Sequence, residues 1–266
     1  MPTQGAVLRP WAGKENNPVI IKSNVNLKIG MKILGLGEKY KQLQQLIVQL
    51  GWINTCLYAA NRISNLLKLG LFFNKYYFVA QSFADQPQLP PNKGRRIRVV
   101  ELAPESLDCN PCPRPKDVLV DRYNQGATCL TAYREDEFAG CLWYAESRYR
   151  EDEVRCLYQL PADQAVWDFD VYVEPKFRLS PVFLKLWDEA STKLTRKGCR
   201  WSFSRISAFN AMSLSSHKRM GAYVVGWAVF AQFRQTQICI ASMKPFIHLS
   251  TSEFSFPVFK FSLPKI

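Results

Sequence analysis

The chain has 266 residues, 47% of them hydrophobic and 13% aromatic, which is enough to bury a sizeable core and excludes a wholly disordered protein. Basic residues outnumber acidic ones by 35 to 22, for a formal net charge of +13. The excess is uneven: residues 1–98 hold 14 basic and 3 acidic side chains, which suits an anionic surface or ordinary solubility, while the remainder is close to neutral.

Residues 1–30 show no periodicity and no sustained apolar stretch of the kind a secretory leader needs; they read as a flexible tail on a chain expected in the cytoplasm. From Glu38 onward Leu43, Leu46, Ile47, Leu50, Ile53, Leu57, Ala60, Ile63, Leu67 and Leu71 recur every three or four residues. This is an amphipathic helical stripe, broken near Gly51 and Gly70. Asn61, Arg62, Asn65 and Lys68 interrupt it well short of the ~20 apolar residues of a membrane span. Residues 31–94 therefore read as a basic helical extension ending in a Pro- and Gln-rich linker over 86–94. Trp52, Tyr58, Phe72, Phe73, Tyr76 and Tyr77 could anchor such a helix on a membrane. Two readings stay open for 38–78: peripheral contact with an anionic membrane, at its inner face, or packing on the rest of the chain.

After the linker, 97–102 reads as a strand, 115–123 as a helix, and 127–133 with 140–145 as a hairpin turning at Arg134 to Glu137. Further strands are expected at 154–160 and 166–173, then a helix over 181–197, a strand over 200–206, a helix over 211–220 and strands over 224–230 and 235–242. Residues 246–266 read as a C-terminal tail. Helices mixed with strands in this order specify an α/β or α+β sheet. Cys129, Cys141, Cys156, Cys199 and Cys239 fall in apolar runs and read as buried thiols of a reducing compartment. Cys109 and Cys112 form a lone CxxC; with only two histidines in the chain, no metal site is expected. No recognition motif for nucleic acid is present.

The chemistry concentrates between Trp167 and Ala222. Trp167 to Val173 alternates as a strand and ends at Pro175. Ser180 suits a helix N-cap and Pro181 the first helical position. Free backbone N–H groups at such a start, beside Arg178, can hold a pyrophosphate. Val182, Phe183, Leu186, Ala190 and Leu194 form the buried stripe of that helix, which Gly198 ends. Asp168, Asp170 and Tyr172 alternate onto one face of the strand, opposite Trp167, Phe169, Val171 and Val173. Either aspartate could serve as a base, or pair with Arg200 or Arg205 on the next strand.

Val173, Pro175 and Arg178 match in register the V-x-P-x-x-R of the GNAT acyl-CoA N-acyltransferases, and the chain resembles that superfamily over about 95–245. Asn210, Ser213 and Gly221 keep the offsets of the family's later motif, with His217 in place of its tyrosine and Ala222 in place of its aromatic residue. Pro181 and Phe183 stand where the family favours glycine. The resemblance implies a mixed, mostly antiparallel sheet flanked by helices. It implies that Val171, Tyr172 and Val173 line the pantetheine arm of acetyl-CoA or another acyl-CoA. The turn of Arg178, Leu179, Ser180, Pro181, Val182 and Phe183 would hold its pyrophosphate, with Asn210 and Ser213 beside it. It further implies transfer of the acyl group to an amine or hydroxyl acceptor in a ternary complex, with His217 protonating the departing thiolate. The alternative is a catalytically inactive GNAT-like binding module.

Overall fold

The computed structural model describes residues 36–264, apart from 85 and 162–163. Two helices open it, α1 (Leu36–Leu50) and α2 (Trp52–Leu66), followed by β1 (Leu71–Ser82), β2 (Ile97–Leu102), α3 (Lys116–Asn124), β3 (Thr128–Arg134) and β4 (Glu137–Glu146). Then come β5 (Arg148–Arg150), β6 (Leu157–Gln159), β7 (Ala165–Val173), α4 (Val182–Arg196), β8 (Trp201–Ser207) and α5 (Ala211–Arg219). The chain closes with β9 (Tyr223–Phe233), β10 (Thr236–Ala241), β11 (Ile247–Ser250) and β12 (Val258–Lys260). The fold is mixed α/β, and the helical breaks at Gly51 and Gly70 fall where the sequence places them, both at positive φ. The β3–β4 hairpin turns on Glu135 and Asp136, at φ 51° and 66°, the two-residue geometry that matches strand twist. No helix among the described residues is long and apolar enough to cross a membrane.

Nine strands form one sheet in the order β11-β10-β9-β1-β8-β7-β4-β3-β2. Every neighbouring pair is antiparallel except β7 and β8. A second sheet, β12-β6-β5, lies against one face. Its Tyr158 stacks on Trp167 with ring centroids 3.8 Å apart, and Phe259 and Phe261 pack on Phe78. That face carries the larger core, including Trp143, Trp167, Phe203 and Phe230, all essentially inaccessible. The opposite face is covered by α4 over β2, β3, β4 and β7, by α5 over β8 and by α2 over β1.

Two expectations change. Leu71 to Ser82, read as the end of a helical extension, is a central strand hydrogen-bonded to β8 and β9. Tyr76, one of the candidate anchors, is buried in the core, where it cannot reach a membrane. A run so rich in aromatic residues fits either period, and partners more than a hundred residues away select the strand. The stretch 246–266, read as a tail, supplies β11 and β12 and buries Phe259 and Phe261. The tail expected over 1–30 lies outside the described residues.

Candidate active site

The only parallel pair of the large sheet is also its break. β7 and β8 ladder over three positions, Ala165↔Trp201, Val166↔Ser202 and Trp167↔Phe203, although both strands run on to Val173 and Ser207. Beyond Trp167 the edge of β7 that faces β8 has no ladder partner. Being parallel, both strands end at the open side of this fork, and each is followed by a helix. The N-termini of α4 and α5 thus converge on its mouth, the place where open α/β sheets receive ligands.

A β-bulge starts the divergence. Cys141 faces Tyr172 and Trp143 faces Phe169, so β7 carries one residue more than β4, and Asp170 takes up the extra length at φ 53°. The bulge overturns the strict alternation expected for this strand. Asp168 stays on the α4 and α5 face with Val166, whereas Asp170 turns to the large-core face and Val171 and Val173 return to the helical face. Gly140 of β4 sits against Val173; a Cβ there would meet the Tyr172 carbonyl oxygen at 2.4 Å, so the approach of the two strands requires glycine.

The two aspartates consequently have different environments. Asp170 is held by Arg114 at one oxygen and by Arg122 at the other, the latter 2.5 Å away. Its partners are these two arginines, in and just before α3, and not Arg200 or Arg205. Asp168 is 4% exposed and is hydrogen-bonded to the Ser202 hydroxyl. Burial pushes its carboxyl up to about 6, with the charge of His217 and the hydroxyls of Ser202 and Ser204 opposing the rise. Gln81 of β1 lies across from Ser202, and its Oε1 is buried without a protein partner. Asp168, Ser202, Ser204, Gln81 and His217 therefore form a polar seam between two apolar clusters on one face of the fork.

His217 is buried in α5, and its Nδ1 lies 2.8 Å from the Ser213 carbonyl oxygen. A carbonyl only accepts, so Nδ1 carries a proton and Nε2 is the nitrogen left for exchange. Asn210 caps α5, its side chain accepting from the Ser213 N–H at 3.0 Å. Asn210 and Ser213 thus orient the helix that carries His217.

At the other helix the start shifts by one residue: Pro181 is the cap and Val182 the first helical residue. The Ser180 hydroxyl donates to the Phe177 carbonyl at 2.6 Å and lies 3.5 Å from the Val182 N–H. Phe183 turns inward against Trp187 and the core beneath α4. Pro181 removes one donor, but helix geometry leaves the next N–H groups without intrahelical acceptors. Arg178 and Leu179 are exposed beside them. An anionic group fits this helix start, and the orphaned Gln81 Oε1 marks unmet polar capacity deeper in the seam.

The sequence reading missed the acidic loop on the far face of the fork. Glu151 grips Arg205 of β8 through both oxygens at 2.7 and 2.9 Å, and Glu153 accepts from Tyr76 at 2.8 Å and lies 3.1 Å from Arg205. Asp152 holds Arg122, which in turn holds Asp170 of β7. The loop ties the two parted strands together. Glu151 is 1% exposed, and burial raises it to about 7 against the pull of Arg205; Asp152 is lowered to about 2 because Arg122 outweighs its burial. The run of three acids between Arg150 and Arg155 was the signal in the sequence. Among the described residues, no group of three His, Cys, Asp or Glu could hold a metal ion.

Comparison with known proteins adds a likeness of fold. The neighbours include GNAT acetyltransferases. A GCN5-related N-acetyltransferase from Sphaerobacter thermophilus is similar at TM-score 0.43 and 17% identity, over 65% of this chain and 55% of that one. AAC(6')-Iy in complex with the bisubstrate analogue CoA-S-monomethyl-acetylneamine is similar at TM-score 0.36 and 19% identity, over 47% of this chain and 89% of that one. A conserved protein of unknown function from Staphylococcus epidermidis aligns at TM-score 0.41 and 10% identity, over 71% of this chain and 66% of that one. No protein-family model and no curated protein matches the sequence.

Proposed function

We propose that this chain is an acyltransferase that takes an acetyl or longer acyl group from acyl-CoA and passes it directly to an amine or hydroxyl acceptor. One observation carries the reading: a parallel strand pair parts after three ladder positions, with two helix N-termini at its mouth. The motif residues Val173, Pro175 and Arg178 lie on the same arm of that fork.

In this reading the N–H groups opening α4 and the Arg178 guanidinium hold the pyrophosphate, and the free edge of β7 from Val171 to Val173 takes the pantetheine arm. The acceptor attacks the thioester carbonyl carbon and the C–S bond breaks. Protonated His217 gives its Nε2 proton to the departing thiolate, and Asp168 in its ionised form receives the acceptor's proton. Asp170, with both oxygens occupied by arginines, holds the bulge in shape.

Calorimetric titration with CoA, followed by turnover with acetyl-CoA across amine and hydroxyl acceptors, tests the reading. His217→Ala is expected to lower turnover by roughly 10²–10⁴-fold with CoA affinity retained. Unchanged turnover removes His217 from the mechanism. The second reading, a catalytically inactive GNAT-like binding module, is favoured by one feature, the donor that Pro181 removes from the helix start. Absence of CoA binding at millimolar ligand would establish it.

A further inference from the structure

The half of the sheet farthest from α3 is built from segments without acidic side chains. Residues 39–84 hold five basic and no acidic residues, and 201–252 hold five basic and none; among these Arg205 is turned to the other face, where Glu151 and Glu153 pair with it. These segments supply α2, β1, β8, α5 and β9 to β11. On β9, β10 and β11 the inward residues, such as Phe230, Cys239 and Ser250, are fully buried. The outward residues are apolar and bare: Ile238 45% exposed, Ile240 49%, Leu249 57% and Ile247 72%.

Strand register sets these side chains in two rows. Phe73, Ala231, Ile238 and Leu249 stand abreast in one, and Lys75, Val229, Ile240 and Ile247 in the other. The α2–β1 turn, with exposed Leu66, Leu67 and Leu69, meets Phe233 at one end, because Leu71 pairs with Phe233. Cations mark the rim. Lys68 sits in that turn and Arg234 beside Phe233, Lys244 precedes exposed Phe246, and Lys75 Nζ lies 5.4 and 5.7 Å from the Tyr77 and Trp227 rings.

We propose that this face docks the chain on an anionic phospholipid membrane. An apolar sheet face rimmed by cations, with no carboxylate in the strands that build it, matches the headgroup boundary in both hydrophobicity and charge. A second copy of the chain would bring the same uncompensated cations to the interface, so charge favours lipid over self-association. The surface lies beside the α2 stripe, on the acid-free half of the sheet, and the proposal stands apart from the acyl-transfer reading.

Co-sedimentation of the full chain with phosphatidylglycerol vesicles and with phosphatidylcholine vesicles tests it. Binding is expected to phosphatidylglycerol at low salt, roughly tenfold weaker to phosphatidylcholine, and weakened by 0.5 M salt. The exposed pair Ile238→Ser with Leu249→Ser is expected to cut binding about tenfold with Tm unchanged. The charge pair Lys68→Gln with Arg234→Gln should cut it about fivefold or more and makes an independent check should the first pair unfold. Equal binding to both lipids, no binding, or variants that sediment like the parent would overturn the proposal. So would a dimer in light scattering that the Ile238 and Leu249 substitutions convert to monomer.

Discussion

Asp168 and Glu151 are carboxyls whose burial holds them above the ordinary range, and the sign of their effect on stability follows. Each binds its proton more tightly in the folded than in the unfolded chain, so each lowers stability as pH rises through the window between its ordinary and folded values. For Asp168 this window runs from about 4 to about 6. Stability should therefore fall over that range, and Asp168→Asn should flatten the slope by about 1–3 kcal/mol, as read from urea unfolding at successive pH values. Asp152, lowered by Arg122, acts in the opposite sense and only below about pH 4. Glu151 extends the downward slope of the parent towards pH 7. A flat profile in the parent would contradict the burial of both groups.

Two elements give the fork its shape, and each makes a prediction. Gly140 lets β4 approach β7 just before the strand ends, and Gly140→Ala forces a Cβ into the Tyr172 carbonyl. A loss of about 1–3 kcal/mol is expected in thermal or urea unfolding; under the acyl-transfer proposal CoA binding should weaken as well, because the displaced arm carries Val171 to Val173. The acidic loop ties the arms from the far side. Arg205→Ala leaves Glu151 buried without its cation and should cost about 3–5 kcal/mol, whereas Glu151→Gln, which keeps a hydrogen-bonding acceptor for Arg205, should cost less. If the two substitutions destabilise equally, the loop is not held by that ion pair.

At the scale of the molecule, the charge sorts onto one half. Among the described residues, most of the acids from Glu101 to Glu189 lie in α3, α4, the acidic loop and the strands and turns from β2 to β7, while β1 and β8 to β11 come from acid-free sequence. One half closes on itself by ion pairs such as Lys193 with Glu101 and Lys197 with Glu146. The other, Arg205 apart, presents cations such as Lys68, Arg234 and Lys244 around a bare apolar face, which is why binding to phosphatidylglycerol over phosphatidylcholine is the measurement that belongs to the whole chain.

What the sequence determined by itself is local. Short strand-forming runs bounded by turn residues marked β2, β3, β4, β9 and β10, the turn between Arg134 and Glu137 marked a hairpin, and the 3.6-residue stripe and its glycines marked α1, α2 and α4. The motif residues around Val173 and Asn210 pointed to a strand-to-helix site, and the structure puts both helix starts at one fork. Only the tertiary structure decided that Leu71 to Ser82 is a central strand, that Asp168 and Asp170 face opposite ways, and that three consecutive acids, with Glu151 buried, tie the fork from beneath. Each of these depends on partners distant in the chain: β8 and β9 for β1, the shorter run of β4 for the bulge, Arg122 and Arg205 for the loop. Periodicity records what a segment prefers alone, whereas pairing, register and desolvation are properties of the segments it meets.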